Sequence, residues 1–225
     1  MASSARVVSI PVEGVTLIGD LTIPDMPKGL VLFAHGSGSS RLSTRNRSVA
    51  RTLNDDGLAT LLFDLLSGDE GDIDNATARL RFDIPLLANR LGAVTDWLAT
   101  QAALRDMPVG YFGASTGAAA ALVAAAGRGR VVRAIVSRGG RPDLAGTFLS
   151  AVRAPTLLIV GSRDPEVLAM NRRALTALGS ETRHLAVVPG ATHLFEEPGT
   201  MDQVSELASA WFQRHLTTLE APALI

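Results

Sequence analysis

Short runs rich in Val, Ile and Leu recur along this chain, each followed by a longer stretch of helical periodicity, and that alternation is the strongest constraint on its fold. The runs "GLVLFAH" (29–35), "LATLLFD" (58–64), "PVGYFGA" (108–114), "VRAIVS" (132–137), "PTLLIVG" (155–161) and "RHLAVVP" (183–189) lack polar alternation, as strands covered on both faces do. Ahead of them, "RVVSIPV" and "VTLIGDLTI" flank Glu13 and Gly14 and predict an antiparallel hairpin. Helical patterns fall at 44–56, 84–104, 115–126, 165–178 and 201–217. In the second, Ile84, Leu87, Leu91, Val94 and Leu98 share one face, with Trp97 as packing; in the last, Val204, Leu207, Trp211 and Phe212 do the same. The predicted class is α/β, a mostly parallel twisted sheet of about eight strands with helices on both faces. At 225 residues and 47% hydrophobic content the chain suffices for one sizeable core, so a single domain over 1–225 is expected.

Two stretches read as irregular. Residues 138–154 have room for one short helix at most and leave no space for a substantial lid domain. Residues 67–81 cluster carboxylates, but counted from Asp72 they lack the glycine and glutamate that a calcium loop needs at its sixth and twelfth positions, so a solvated loop is expected.

Composition removes several functions. Lys and Arg total 21 against 22 for Asp and Glu, with no basic stripe, so nucleic acid is not an expected partner. The absence of cysteine rules out a thiol nucleophile and cysteine-ligated metal, and no metal or other cofactor is expected. The start "MASSARVVSIPVEG" has no apolar run of signal-peptide length, and no segment approaches a membrane span, so a cytoplasmic protein with no membrane partner is expected. Neither "GYFGASTG" nor "HGSGSSR" completes a dinucleotide-binding or P-loop pattern. The sequence sets no oligomeric state.

The chemistry centres on "YFGASTGAAAAL". A strand that passes at once into a helix must turn sharply, and glycines two positions before and after the apex remove the Cβ atoms that would collide there. Gly113, Ser115 and Gly117 meet this demand, and the alanines from Ala118 let the helix start close to the sheet. Serine is also a favoured N-cap, but the strand before and the helix after favour a nucleophile at the positive end of a helix dipole. A serine nucleophile needs a base, and the base needs an orienting acid. His193, in "PGATHLFEEPG" between the last strand and the last helix, is the candidate base. His184 and His215 read as packed or surface residues and His35 as structural. Asp164, after "LLIVG", is the candidate acid, with Asp64 as runner-up. Backbone N–H groups of Thr116 and Ser37 are the candidate oxyanion donors, with Gly36 and Gly38 giving the latter loop access to substrate. Arg41, Arg138 and Arg141 are candidate substrate-binding residues for an anionic group, against the alternative of solvated surface arginines.

The pieces "LFAHGSGSS", "GLATLLFDLL", "GYFGASTGAAAAL", "PTLLIVGSRD" and "GATHLFEEPG", spread over residues 15–216, resemble the dienelactone-hydrolase-like branch of the α/β-hydrolase superfamily. The resemblance implies the α/β-hydrolase fold and a Ser-Asp-His hydrolase of esters or lactones with a backbone oxyanion hole and no metal, and the lack of room for a lid favours small or mobile esters. Dienelactone hydrolases proper use cysteine, and its absence here keeps their lactone from carrying over. Two other readings stay open: a ligand-binding member of the fold without turnover, and an acyltransferase or perhydrolase that passes the acyl group to another acceptor.

Overall fold

A computed structural model of the protein describes residues 4–216. The chain runs through β1 (Ser4–Val12), β2 (Val15–Ile23), β3 (Leu30–Ala34), α1 (Thr44–Asp55), β4 (Ala59–Phe63), α2 (Gly68–Thr77), α3 (Ile84–Ala99), β5 (Val109–Ala114), α4 (Thr116–Ala126), β6 (Val132–Arg138), β7 (Thr156–Gly161), α5 (Pro165–Ala177), β8 (Arg183–Val188) and α6 (Thr200–Leu216). The strands form one sheet in the order β1-β2-β4-β3-β5-β6-β7-β8. Glu13 and Gly14 take positive φ (46° and 81°), the two-residue turn whose twist suits a hairpin, and β1 and β2 pair antiparallel from Val12↔Val15 out to Ser4↔Ile23. β2 is antiparallel to β4, and every later pairing is parallel.

This order positions the site. β3 has β4 on one side and β5 on the other, so the chain reverses its winding direction there and the loops leaving β3 and β5 diverge. In open α/β sheets such a switch point opens a crevice at the carboxyl ends of the strands.

Helices cover both faces. On one, Leu87, Leu91, Val94 and Leu98 of α3 pack with the buried alanines of α4 and with Ala174 of α5. On the other, Val49 and Leu53 of α1 meet Val204 and Phe212 of α6. Each such Val, Leu or Phe contributes about 1.5–3 kcal/mol by leaving water. Phe33 and Phe112 add a tilted ring pair across β3 and β5, centroids 4.9 Å apart.

The structure departs from the sequence reading in four places. Residues 67–81 are not a solvated loop: α2 forms there, followed by a 3-10 turn over Leu80–Phe82. Residues 138–154 hold a longer 3-10 stretch, Pro142–Ala151, broken where Gly146 takes φ 52°. α3 ends at Ala99 rather than 104. β8 is not covered on both faces, because it is the last strand of the sheet, and Arg183, His184 and Val187 are exposed.

Candidate active site

Ser115 sits between β5 and α4 with φ 50° and ψ −119°, a conformation that a non-glycine residue holds only where its surroundings over-determine it. Three hydrogen bonds do so: Ser115 N–H donates to the Arg138 carbonyl (3.2 Å), and the Ser115 carbonyl accepts from Ala118 N–H (3.1 Å) and Arg141 N–H (3.0 Å). A Cβ at Gly113 would overlap the Ala118 backbone, and one at Gly117 the carbonyls of Ala34 and His35. The N-cap alternative fails, since the Ser115 side chain makes no capping hydrogen bond.

Asp164 precedes α5 and likewise caps nothing with its side chain. Its Oδ2 lies 2.7 Å from Nδ1 of His193, in the loop between β8 and α6. The carboxylate therefore holds the proton on Nδ1 and leaves Nε2 with a lone pair. Asp164 is the more enclosed of the two, with its side chain 14% exposed against 38% for the imidazole. Among the described residues no hydrogen bond joins Ser115 Oγ to His193. The imidazole instead borders Gly139, where an added Cβ would come within 3.5 Å of its Cε1. Gly139 directly follows the residue whose carbonyl anchors the Ser115 amide, so serine and imidazole share one strand end.

The runner-up acid is occupied elsewhere. Asp64 accepts from the Arg41 amide at 2.8 Å and from the Arg41 guanidinium, which also reaches Asp20. Among the described residues, no carboxylate is hydrogen-bonded to the remaining histidines. His35 accepts the Leu65 N–H on Nε2 (3.1 Å), so its Nδ1–H donates to the Gly36 carbonyl (3.0 Å). Burial pushes His35 below its ordinary pKa, against the opposing pull of that carbonyl and of Asp64. The pKa of His215 is lowered by burial and by Arg214, and its ring meets Trp211 at a tilt of 57°; His184 is exposed on β8.

Ser37 and Thr116 line the same cavity, about 740 Å³ in volume, at the switch point. Gly36 presses on the elbow: an added Cβ would meet Ser115 Cβ and the Ala114 carbonyl at 3.1 Å. Neither the Ser37 nor the Thr116 amide has an acceptor among the described residues.

The three arginines differ sharply. Arg41 is paired as above, and Arg141 makes a two-bond pair with Asp143 (2.9 and 2.7 Å). Arg138 is 5% exposed: it reaches Asn46 Oδ1 at 3.4 Å and lies 5.9 Å from the centre of the Phe195 ring, and among the described residues it meets no carboxylate and its Nε has no partner. Burial, and then the Arg45 charge, bring its pKa down to about 10.

One wall of the cavity escaped the sequence reading. Gly68, Gly71, Asp72, Asp74 and Asn75 of α2, with Arg81 beyond it, close the side facing Ser37. Asp74 accepts from the Arg81 amide (2.9 Å) and from Arg81 Nε (2.7 Å). Burial raises the Asp74 carboxyl, and these bonds more than reverse the effect, leaving it below its ordinary value. The signal was present as Ser67-x-x-Glu70, a capping box in which Ser67 Oγ accepts from Glu70 N–H and Glu70 accepts from Ser67 N–H.

Residues 18–221 match the sequence profile of the Dienelactone hydrolase family. The chain belongs to the dienelactone hydrolase family. Among solved structures, a dienelactone hydrolase from Anabaena variabilis is 56% identical, with a TM-score of 0.93 over 95% of this chain and 99% of that one. Est1E from Butyrivibrio proteoclasticus, with ferulic acid bound, shares the fold at 18% identity, with a TM-score of 0.78 over 94% of this chain and 100% of its own. Two curated relatives in strains of Mycobacterium tuberculosis, each named "Putative phosphoribosyl transferase", are 60% identical over 202 residues, 90% of this chain. The chain spans 44% of their length. No helix among the described residues is long and apolar enough to cross a membrane. Membership in the dienelactone hydrolase family, and the 56% identity to a dienelactone hydrolase, support hydrolase chemistry.

Proposed function

We propose that this dienelactone hydrolase family member cleaves carboxylic esters or lactones through an acyl-enzyme on Ser115. The observation that carries the reading is the 2.7 Å Asp164–His193 contact at the sheet edge where a strained serine keeps its hydroxyl free of any cap. His193 Nε2 takes the Ser115 proton as Oγ attacks the carbonyl carbon. The oxygen that becomes negative is held by the Ser37 and Thr116 amides. Collapse expels the alcohol, which receives the proton from the imidazolium, and water activated by the same nitrogen then releases the acid. Apo catalytic contacts are often loose and tighten around substrate, which accommodates the missing Ser115–His193 hydrogen bond.

With no cysteine in the chain a thiol nucleophile is excluded, and Ser115 is the serine at the elbow. The transferase name belongs to proteins more than twice as long and supports no phosphoribosyl chemistry at this serine. The test is fluorophosphonate labelling with mass-spectrometric site mapping, beside turnover of p-nitrophenyl acetate. Labelling at Ser115 and loss of turnover in Ser115→Ala are expected; labelling at another serine, or turnover that survives the substitution, overturns the nucleophile.

A further inference from the structure

His35, the residue after β3, uses both nitrogens of its ring. Nε2 accepts the Leu65 N–H at 3.1 Å, so the proton of the neutral imidazole lies on Nδ1 and is donated to the Gly36 carbonyl at 3.0 Å. That carbonyl also accepts the Ser39 N–H at 3.2 Å, closing a turn over 36–39. Gly38 takes φ 66° in this turn while Ser37 is not among the residues of positive φ, the pattern of a type II turn. The Ser39 bond alone would close it. What the imidazole adds is a tie to the end of β4 and a fixed angle for one peptide plane. A trans peptide is planar with its C=O and N–H pointing opposite ways, and no cis bond occurs among the described residues. Holding the Gly36 oxygen therefore sets the direction of the Ser37 N–H. That amide has no acceptor among the described residues, and the glycine before it borders the elbow, since an added Cβ there would stand 3.1 Å from Ser115 Cβ.

We propose that His35 is a positioning residue for the oxyanion hole: it holds the Gly36–Ser37 peptide so that Ser37 N–H aims at the carbonyl oxygen of an ester attacked by Ser115. The inference rests on the ester-hydrolase reading. A peptide plane left free would have to rotate as charge develops on that oxygen, whereas a held donor is already aimed, and such preorganisation gives an oxyanion hole its effect. His35 itself touches no reacting atom and keeps its Nδ1 proton throughout. Burial favours that neutral form.

The test pairs His35→Asn, whose amide nitrogen can stand where Nδ1 stood, with His35→Gln, whose amide reaches the place of Nε2. For both, kcat and KM on p-nitrophenyl acetate are read beside the melting temperature. Asparagine keeps a donor for Gly36 and leaves Leu65 without an acceptor; glutamine does the reverse. His35→Gln is expected to lower kcat about 10- to 100-fold with KM little changed, at or below the loss from removing one oxyanion donor outright. His35→Asn should keep kcat within about three-fold of wild type and yet melt lower than His35→Gln. Activity and stability then rank the two variants oppositely, which a packing role would not do. Ser37→Pro supplies a second arm, because it deletes the aimed N–H at a turn position where proline is common. It should lower kcat by about 10²–10³, and adding His35→Gln to it should cost little more, since the donor that His35 aims is gone. The inference is overturned, with Ser115 labelling left standing, by kcat losses that multiply in the double variant or that follow melting temperature across the two His35 variants. A wild-type kcat in His35→Gln, or a rise in KM in place of a fall in kcat, overturns it too. Wild-type protein that neither hydrolyses the ester nor labels at Ser115 removes the ester-hydrolase reading, and the inference with it.

Discussion

Gly117 packs so closely on Ala34 that an added Cβ would overlap the Ala34 carbonyl oxygen. The contact joins the first turn of α4 to β3 and holds the elbow down on the sheet. In an exposed helix, glycine to alanine is worth up to about 1 kcal/mol of stabilisation. At Gly117 the sign should reverse. Gly117→Ala is expected to destabilise by about 1–3 kcal/mol in urea unfolding, through overpacking against rigid backbone, and to weaken Ser115 labelling by tilting the apex. Gly127 ends the same helix with φ −88° and open space around it, so Gly127→Ala should be neutral or slightly stabilising. Equal responses at the two positions would refute the steric account.

The two candidate acids separate by their partners. Asp164 holds the His193 imidazole, whereas Asp64 holds the Arg41 amide and guanidinium. Asp164→Asn should cost up to about 10⁴ in kcat, because an amide no longer enforces the Nδ1–H tautomer. Asp64→Asn should lower stability and leave kcat within a few-fold, since Arg41 shapes the loop without touching the base. Steady-state kinetics on both variants decides the matter, and a larger kcat loss at Asp64 would exchange the roles.

A pH dependence follows from His35, whose Nε2 must stay unprotonated to accept the Leu65 N–H. Burial holds its folded-state pKa below the ordinary 6.5, so between the two values the unfolded chain binds a proton that the native one does not. Its contribution to stability is complete above about pH 6.5, falls as the pH drops toward the folded pKa, and levels off beneath it. His215 titrates in the same direction, while Glu70 and Asp74, both lowered, act in a more acidic window. Melting curves of wild type and His35→Gln therefore isolate the residue. The gap between them should be widest above pH 6.5 and narrow toward pH 5; a constant gap would show that His35 does not titrate on unfolding.

The parallel strands were legible because strands covered on both faces are spelled out by apolar runs, and the elbow because Gly113 and Gly117 are demanded by backbone overlap that no other residue satisfies. The pairing of Asp164 with His193 was legible from their positions after successive strands. α2 was missed for a physical reason: "GDEGDIDNAT" has neither an apolar face nor good helix formers, and the capping box and the buried Asp74–Arg81 pair support it in place of a hydrophobic stripe. The exposed face of β8 was missed because edge position is a property of the assembled sheet, absent from "RHLAVV" itself. Pairing with Asp64 and Asp143 also lay beyond reach, since Arg41 and Arg141 look like Arg138 until the chain is folded.

Arg138 remains the arginine of the three whose charge is not spent on a carboxylate. Leaving a guanidinium buried with only an Asn46 contact and a distant position over the Phe195 ring, and with Arg45 repelling it, is costly for the native state. Replacing it with a flexible apolar side chain of similar length should remove that cost, so Arg138→Met is expected to leave the unfolding midpoint unchanged or raise it. The kinetic arm asks what the charge is for. Should it receive an anionic group of the substrate, Arg138→Met will raise KM for a half-ester of a dicarboxylic acid and leave KM for a neutral acetate ester as it was. An equal effect on both esters would assign the guanidinium to holding Phe195, two residues beyond His193, and would end its candidacy as an anion site.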